Sequence, residues 1–347
     1  MTTHHFTGPT STHAGRTHSY TLNEAEIDDV LDVVQEFADS GISPVDPDFY
    51  RKFERCDELL PPHLLRFLRE FRDDPAATVC QVHGFPIDHA VVGPTPDHWE
   101  RPEGLSATLH SDIYLALCGT ALGDPFTWAT LQYGRMIQDI FPIRGDEKRE
   151  SGHGSEGFLS FHTDDAFRTD SADYLLLFGI RNTDVVPTFV AAVRDVDLSD
   201  WDRKLLSEPR FHIVPDDEHI RQLELRAPGA PELERAIAMR DRPEPVAVLS
   251  DAPDNPRVRL DLPFMRVIDD DPVTVRALAR LRMELDRVRR PLVAAAGTLL
   301  ILDNRSVAHA RDSFTARYDG TDRWLRKIIV SRDLGADGAD PTDRVRF

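Results

Sequence analysis

The residues with the clearest chemical potential are a histidine and an aspartate, His162 and Asp164, which directly follow the apolar run 158–161. Side chains two positions apart on an extended chain project to the same side. An imidazole and a carboxylate placed in this way can bind adjacent positions on one metal ion. The alternatives are a surface pair, or a histidine hydrogen-bonded to the neighbouring carboxylate. A His-x-Asp motif alone is therefore a weak indication of a metal site.

A second histidine, His309, has surroundings that suit a third ligand. It follows an apolar run at 298–302 and an Asp-Asn turn at 303–304, which together predict a buried strand and a turn. Two histidines and one carboxylate that leave coordination positions open form the facial triad of non-haem Fe(II) oxygenases. The alternative for His309 is a core histidine bonded to the backbone. We predict that His162, Asp164 and His309 bind Fe(II).

A fixed cation, Arg323, follows His309 in the segment 320–330. A 2-oxoglutarate bound to iron through its keto acid end needs a cation for its distal carboxylate, and a planar guanidinium pairs with such a group in a bidentate manner. The alternative is a turn arginine in a surface ion pair. The three elements together predict an enzyme that consumes 2-oxoglutarate and O₂. A zinc hydrolase would leave Arg323 without a purpose.

The elements that must position these residues change in character near residue 126. A capping box at Thr21–Glu24 and helical spacing predict an N-terminal helix that ends at Gly41, and further helices are expected near 61–72 and 111–122, with a strand at 78–85 between them. A long helix is predicted at 272–290. Short strands are predicted at 127–133, 158–162, 174–180, 188–193, 246–250, 257–262, 298–302 and 325–331.

The predicted order of elements, with helices first and then many short strands interrupted by one helix, favours a jelly roll over βαβ units. We predict a mainly β protein with a double-stranded β-helix (jelly roll, cupin-like) core and N-terminal helical flanks. Residues 1–20 are expected to be disordered, and residues 21–347 to form a single oxygenase domain. Within it we assign 21–125 to the helical flank and 126–335 to the core. The charged, proline-containing stretch at about 208–242 is predicted to be a lid.

Composition narrows the class of partner. The formal net charge of −19 argues against nucleic acid, because nothing would offset phosphate repulsion, and weakly favours a cationic small substrate. No apolar run approaches the roughly 20 residues that a membrane helix needs. The N-terminal segment lacks the apolar stretch of a signal peptide, which predicts a cytoplasmic protein. Cys56, Cys80 and Cys118 fit neither a disulfide framework nor a metal site.

Several motifs resemble a known family. The chain is similar, from about Leu122 to Asp333, to the clavaminate-synthase-like Fe(II)/2-oxoglutarate oxygenases. Within that family it resembles the hydroxylases of free amino acids from peptide-antibiotic pathways, which include the viomycin-pathway arginine hydroxylase and related asparagine and lysine hydroxylases. The motifs that carry the resemblance are LGDPFTWAT (122–130), HTDDAF (162–167), RNTD (181–184), DNRSVAH (303–309) and DGTDRWLR (319–326).

The resemblance implies roles for individual residues. It implies His162, Asp164 and His309 as iron ligands and Arg323 as the partner of the 2-oxoglutarate C5 carboxylate. It further implies four substrate contacts: Gln132 to the α-amino group, Asp261 and the lid residue Asp216 to a cationic side chain, and Lys327 to the substrate carboxylate. The implied reaction hydroxylates an unactivated carbon of a free L-amino acid and converts 2-oxoglutarate to succinate.

Three positions depart from the pattern of the arginine hydroxylases. Pro263 stands where they have a second acid, so lysine- or ornithine-type amines are expected as readily as arginine, and a neutral amide such as asparagine less so. Lys327 stands where they have a further arginine, and provides only a point charge. Asp164 stands where many relatives have glutamate. A carboxylate at this position argues against a halogenase, in which Gly or Ala would leave room for halide.

Several alternatives stay open at this stage. Gln132, Asp261 and Asp216 are also compatible with ordinary strand, turn and loop roles. Asp165 is predicted to hydrogen-bond a metal ligand, or else to cap the following turn. The same chemistry would also permit desaturation or cyclisation instead of hydroxylation. A non-catalytic cupin-like binding protein is the alternative from another class, and the oligomeric state is not predicted.

Overall fold

The computed structural model describes residues 16–100, 107–250, 252, 255–336 and 340–346. Within these ranges the chain forms fifteen strands and nine helices. The strands are β1 (Arg16–Thr21), β2 (Ala77–His83), β3 (Asp124–Trp128), β4 (Gln138–Ile140), β5 (Leu159–His162), β6 (Tyr174–Arg181), β7 (Thr188–Ala192), β8 (Phe211–Ile213), β9 (Pro245–Val246), β10 (Met265–Val267), β11 (Arg290–Leu292), β12 (Leu299–Asp303), β13 (Val307–Arg311), β14 (Trp324–Ser331) and β15 (Val345–Arg346). The helices are α1 (Glu24–Asp39), α2 (Pro47–Lys52), α3 (Pro62–Asp73), α4 (His89–Val92), α5 (Leu109–Leu122), α6 (Asp200–Leu206), α7 (Asp217–Arg226), α8 (Pro231–Asp241) and α9 (Pro272–Val288).

Two sheets form the centre of the molecule. The major sheet has the order β1-β2-β12-β6-β14-β3-β15, with β4 also paired to β14, and the minor sheet has the order β11-β7-β13-β5. Successive strands alternate between the sheets: β5 is in the minor sheet, β6 in the major, β7 in the minor, and β12, β13 and β14 repeat the alternation. This alternation is the winding of a double-stranded β-helix, as the sequence predicted.

Alternating side chains separate the space between the sheets from their outer faces. On β6, Leu175 and Leu177 pack with Val190 of the opposite sheet, whereas Leu176 and Phe178 pack on the outer face against the N-terminal helices. On β13, Val307 faces the space between the sheets, and its neighbour Ala308 packs in the cluster that contains α9. Odd-numbered positions of β13 therefore face inward, which decides where His309 points.

Helices cover the outer faces of both sheets. The apolar stripes of α1 and α3 and the almost wholly buried α5 pack on the major sheet, and α9 packs on the minor sheet through Leu281 and Leu285. The region predicted to be a lid, at about 208–242, contains β8 and the helices α7 and α8, and β8 pairs with β9 and β10 in a small third sheet. No helix within the described ranges is both long enough and apolar enough to cross a membrane.

The structure corrects several sequence predictions at the N-terminus. Residues 1–15 of the segment predicted to be disordered lie outside the described residues, but Arg16–Thr21 forms β1, which pairs in parallel with β2. The major sheet therefore extends beyond the predicted core boundary at 126. The capping box also lies two residues later than predicted, because Asn23, rather than Thr21, accepts a hydrogen bond from the backbone of Glu26.

Two other corrections affect the strands. The segments 246–250 and 257–262 are mostly irregular, with a two-residue β9 and the isolated bridges His162↔Asp261 and Leu249↔Val258. The strand predicted at 127–133 ends at Trp128, and Gln132 and Tyr133 adopt positive φ angles of 41° and 62° in a tight turn. A chain in the left-handed region cannot continue a strand, so Gln132 lies on a turn.

Candidate metal centre and active site

The two histidines of the predicted triad lie opposite each other on adjacent strands. His309 on β13 is in register with His162 on β5, and β13 is flanked on its other side by β7. A register shift follows between His309 and Arg311. His309 lies on the face of β13 that points inward, and β5 ends at His162. The fold therefore directs both imidazoles into one cavity between the sheets.

Asp164 completes a group of three potential metal ligands. One ligand atom from each of His162, Asp164 and His309 lies within 4.8 Å of the others. Asp164 Oδ1 is 3.3 Å from His309 Nε2 and 3.7 Å from His162 Nε2. The two ring centroids are 4.1 Å apart. These separations suit three donors that share one ion, and this is the one such group found in the described part of the chain.

The electrostatics of the group favour the forms that bind a metal. Burial and the neighbouring His309 lower the pKa of His162 to about 3, so its imidazole is neutral and keeps a lone pair at physiological pH. Its Nδ1 donates to the Ser160 carbonyl at 2.8 Å, which leaves Nε2 to face the cavity. Burial alone would raise the pKa of Asp164, but Lys327 and the two histidines outweigh it, and the pKa lies well below the usual range. The carboxylate is therefore ionised.

The backbone at Asp164 is held by Asn304, which the sequence analysis had noted only as part of a turn. The Asn304 side chain accepts from the Asp164 amide at 2.8 Å and donates to the carbonyls of Asp164 and Ala172, each at 3.1 Å. Asn304 is 2% exposed. Asp165, which was predicted to hydrogen-bond a metal ligand or to cap the following turn, contacts helix α7: its Oδ1 lies 3.1 Å from His219 Nε2.

Arg323 lines the same cavity and is buried. Its Nη2 donates to the Thr188 hydroxyl at 3.4 Å, and its Nε has no hydrogen-bond partner among the described residues. Burial, together with the nearby Arg311, lowers the pKa of Arg323 to about 9. A buried guanidinium with unused donors fits an incoming carboxylate.

Acidic side chains define a second region of the cavity. Asp261 forms an isolated β-bridge with His162, and burial and the neighbouring Asp216 raise the pKa of its carboxyl group well above the usual range. Burial likewise raises the pKa of Asp216, whose Oδ1 caps α7 by accepting from Glu218 and His219 amides. Glu150 also lines this region. Buried acids that lie close together in this way provide a site that a cation would stabilise.

Two predicted substrate contacts already have partners within the protein. The Gln132 side chain pairs with the backbone of Asp139, donating to its carbonyl at 2.8 Å and accepting from its amide at 2.9 Å. Lys327 Nζ lies 2.5 Å from Asp164 Oδ2. Both residues line the cavity. Their contacts with a substrate stay predictions.

Three residues of helix α7, in the segment predicted to be a lid, connect it to the core and to the cavity. His219 lies between Asp165 and the Thr130 hydroxyl, 2.5 Å from the latter. Gln222 accepts from the Gln132 amide at 2.7 Å, and Glu218 accepts from Arg149 at 3.4 Å. Sequence reasoning missed these residues because their partners lie far away in the chain. The only sequence signal was their position in the predicted lid.

A double-stranded β-helix that holds two histidines and a carboxylate on adjacent inner positions is the arrangement of the non-haem iron oxygenases. Comparison with known proteins then identifies the family. The sequence profile of the taurine catabolism dioxygenase TauD, TfdA family matches residues 110–329. The chain belongs to this family.

Relatives and solved structures agree with that assignment. An enduracididine β-hydroxylase from Streptomyces hygroscopicus is 36% identical over 321 residues, covering 89% of this chain and 92% of that protein. An L-ornithine/L-arginine 3-hydroxylase from Catenulispora acidiphila is 36% identical over 299 residues, covering 83% and 87% respectively. The crystal structure of the non-haem iron oxygenase OrfP with Fe, succinate and (3S)-hydroxy-L-Arg matches with a TM-score of 0.87 at 36% identity, covering 95% and 99%. The predicted family, fold and enzyme class are confirmed.

Proposed function

We propose that this protein is an Fe(II)/2-oxoglutarate-dependent hydroxylase of a free L-amino acid with a cationic side chain, with lysine, ornithine and arginine as the candidates. The observation that carries the proposal is a single cavity lined by the His162-Asp164-His309 group, by the buried Arg323 and by the acids Asp216 and Asp261. Relatives that share 36% identity are named for reactions of enduracididine, ornithine and arginine.

The metal site is assigned to His162, Asp164 and His309, and the 2-oxoglutarate C5 carboxylate to Arg323. Bound iron, 2-oxoglutarate and O₂ together supply an oxidant strong enough for an unactivated C–H bond. The protein contributes position. Ser160 fixes the His162 ring, Asn304 fixes the backbone of Asp164, and the lid helix α7 closes one side of the cavity and excludes water.

The substrate cation is assigned to Asp261 and Asp216. Neither acid has an arginine or lysine ion-pair partner among the described residues, yet both line the cavity, and burial together with Asp216 raises the pKa of Asp261. A guanidinium or ammonium group would satisfy both. Pro263 lines the same region in place of a further acid and cannot pair with a guanidinium. Ornithine and lysine therefore rank beside arginine, as the sequence predicted. Lys327 and Gln132 are assigned to the substrate α-carboxylate and α-amino group.

The test is turnover of individual amino acids by the Fe(II)-loaded protein. Arginine, ornithine, lysine and asparagine are each incubated with 2-oxoglutarate in air, and succinate and the product mass are measured. We expect a basic amino acid to raise succinate above the uncoupled background and to gain the mass of one oxygen atom. A loss of two hydrogens would instead indicate desaturation or cyclisation. If none of the four raises succinate, the proposed substrate class is wrong.

Variants connect that activity to the residues. Asp261→Asn removes a charge-assisted contact, which is worth about 1.5–3 kcal/mol, so kcat/KM for a basic substrate should fall by roughly ten- to a hundredfold. Asp241→Asn, an exposed acid at the end of α8, removes the same charge and should have little effect. His162→Ala should abolish turnover while the fold is retained, and unchanged turnover would contradict the assignment of the metal site. A wild-type protein that binds amino acids without any turnover would instead indicate a non-catalytic cupin-like binding protein.

The remaining assignments concern domain organisation and location. We treat residues 21–347 as one oxygenase domain, supported by the family match and by the extension of both sheets across the chain. We place the protein in the cytoplasm, since Cys56, Cys80 and Cys118 are buried free thiols, as is usual in a reducing compartment. The proposed partner is a small-molecule amino acid substrate, without nucleic acid or membrane.

A further inference from the structure

A second buried arginine, Arg311, lies in the cavity beside the proposed co-substrate site. It is two positions after His309 on β13. Val307 at the start of this strand packs between the sheets, whereas Ala308 and Ala310 pack on the outer face. The alternation of a strand therefore directs Arg311 to the same side as His309. Arg311 is 3% exposed and lines the cavity together with Arg323.

The guanidinium of Arg311 has unused hydrogen-bond donors. Its Nε and Nη2 have no partner among the described residues, and neither does Nε of Arg323. The charge that acts on Arg323 is that of Arg311 itself. Two buried cations therefore repel each other, and neither forms an ion pair with an acid of the described residues. The acids of the cavity lie close to one another and not to these arginines.

The register of β13 and β7 brings Arg311 near the hydroxyl group to which Arg323 donates. Ala310 pairs with Phe189 across β13 and β7, so the next position on each strand brings Arg311 opposite Thr188. Thr188 is 3% exposed and is the residue to which Arg323 donates. Unpaired charges are expensive to bury, and proteins bury them where a partner will arrive. The expected partner here is an anion with several acceptor oxygens.

We propose that Arg311 and Arg323 together form a two-guanidinium clamp, with the Thr188 hydroxyl between them, on the distal carboxylate of 2-oxoglutarate. The inference rests on the proposed function and adds a second charged contact to the single arginine that the sequence predicted. Its consequence is selection. The clamp favours 2-oxo acids with a carboxylate at both ends and disfavours those with an apolar tail.

The competing explanation is packing. The Arg311 guanidinium lies 5.1 Å from the centre of the Phe314 ring, a cation–π distance, so the side chain also contacts its own segment. A packing role and a binding role predict opposite effects on the ligand-free protein. Replacement of a packing residue lowers stability, whereas removal of an uncompensated buried charge leaves stability unchanged or raises it.

The experiment compares Arg311→Met with Arg287→Met, an exposed arginine on α9 whose replacement removes the same charge. Calorimetry with Mn(II)-loaded protein, which does not turn over, measures binding of 2-oxoglutarate and of 2-oxopentanoate, which lacks the distal carboxylate. We expect Arg311→Met to weaken 2-oxoglutarate at least tenfold, to leave 2-oxopentanoate within twofold, and to leave the melting temperature of the ligand-free protein unchanged or higher. Arg287→Met should bind both as the wild type does. Arg311→Lys should recover part of the lost affinity, because a point charge replaces the fork.

Three results would overturn the clamp. Equal weakening of both ligands would place Arg311 at the keto acid end. Unchanged 2-oxoglutarate affinity with a lower melting temperature would give it a packing role. In both cases the wild-type protein still binds 2-oxoglutarate, so the proposed function stands. If the wild-type protein itself does not bind 2-oxoglutarate, the proposed function fails first and the clamp with it.

Discussion

Asn304 provides the sharpest test of how the fold supports the metal centre. Its side chain makes three hydrogen bonds, to the amide and carbonyl of Asp164 and to the carbonyl of Ala172. In Asn304→Ala, these three backbone groups lose their partner in a site where Asn304 is 2% exposed. Each buried group left without a partner costs about 1–3 kcal/mol, and local rearrangement recovers part of this. We expect the free energy of unfolding to fall by about 2–4 kcal/mol.

The same change should weaken the metal more than general destabilisation explains. Loss of an outer partner of a metal ligand reduces metal affinity by about ten- to a hundredfold. Asn304→Asp is the matched control. Its carboxylate still accepts a hydrogen bond from the Asp164 amide, but it cannot donate to the two carbonyls and repels them. The stability of Asn304→Asp should therefore lie between those of the wild type and Asn304→Ala, or below both.

The assays for Asn304 are urea unfolding of the metal-free protein and a Co(II) titration of each variant. The Co(II) titrations are made at urea concentrations too low to unfold the variant, so that the metal affinity is measured on folded protein. A variant that loses 2–4 kcal/mol of stability but binds Co(II) as tightly as the wild type would refute the reasoning. Asn304 would then support the fold and not the ligand geometry.

Three further predictions concern stability. The pKa of His162 in the folded protein is about 3, below its ordinary value of 6.5, so between these pH values the unfolded chain binds one more proton than the folded protein. The metal-free protein should therefore lose up to about 1.4 kcal/mol of unfolding free energy per pH unit as the pH falls through that window. A His162→Gln variant should show a shallower dependence on pH in urea unfolding. Arg326 pairs with Asp112 at 2.7 Å and Asp139 at 2.5 Å in the core, so Arg326→Met should cost about 3–5 kcal/mol in urea unfolding, against less than about 1 for the exposed Arg287→Met. A Cβ at Gly179 would lie 2.0 Å from the Ala295 carbonyl oxygen, so Gly179→Ala should destabilise the protein by about 1–3 kcal/mol in thermal unfolding. Gly229→Ala is the control and should have little effect, because nothing lies within 4 Å of the added Cβ. Equal melting temperatures of the two variants would show that the backbone at Gly179 shifts freely.

The alternation of strand residues made the central part of the site predictable. His162 and Asp164 were recognised from their spacing, and His309 from the apolar strand and turn before it. The same alternation also reaches Arg311, two positions after His309, but the sequence gives no reason to single out that arginine. Its importance depends on the lack of an acidic partner among the described residues, which only the folded structure shows.

Other features were beyond sequence reasoning for physical reasons. Gln132 follows an apolar strand, and nothing local indicates that the chain turns into the left-handed region there. Asp165 was paired in sequence with a metal ligand, but its partner His219 comes from the lid helix, which folds back over the core. The parallel pairing of β1 with β2 joins segments far apart in the chain, and the polar texture of residues 16–21 does not indicate it.

The division of labour within the cavity has a consequence for protein engineering. The groups assigned to iron and 2-oxoglutarate come from β5, β7, β13 and the segments that follow β5 and precede β14, whereas Asp216, Glu218 and Gln222 come from the separate stretch that contains α7. The residues assigned to iron and 2-oxoglutarate are built into the two sheets or lie beside their strands, whereas the α7 segment is an insertion joined to the core at both ends. Grafting the α7 segment of a relative with a different preference would therefore exchange Asp216, one of the two acids assigned to the substrate cation, and would leave the residues assigned to iron and 2-oxoglutarate in place.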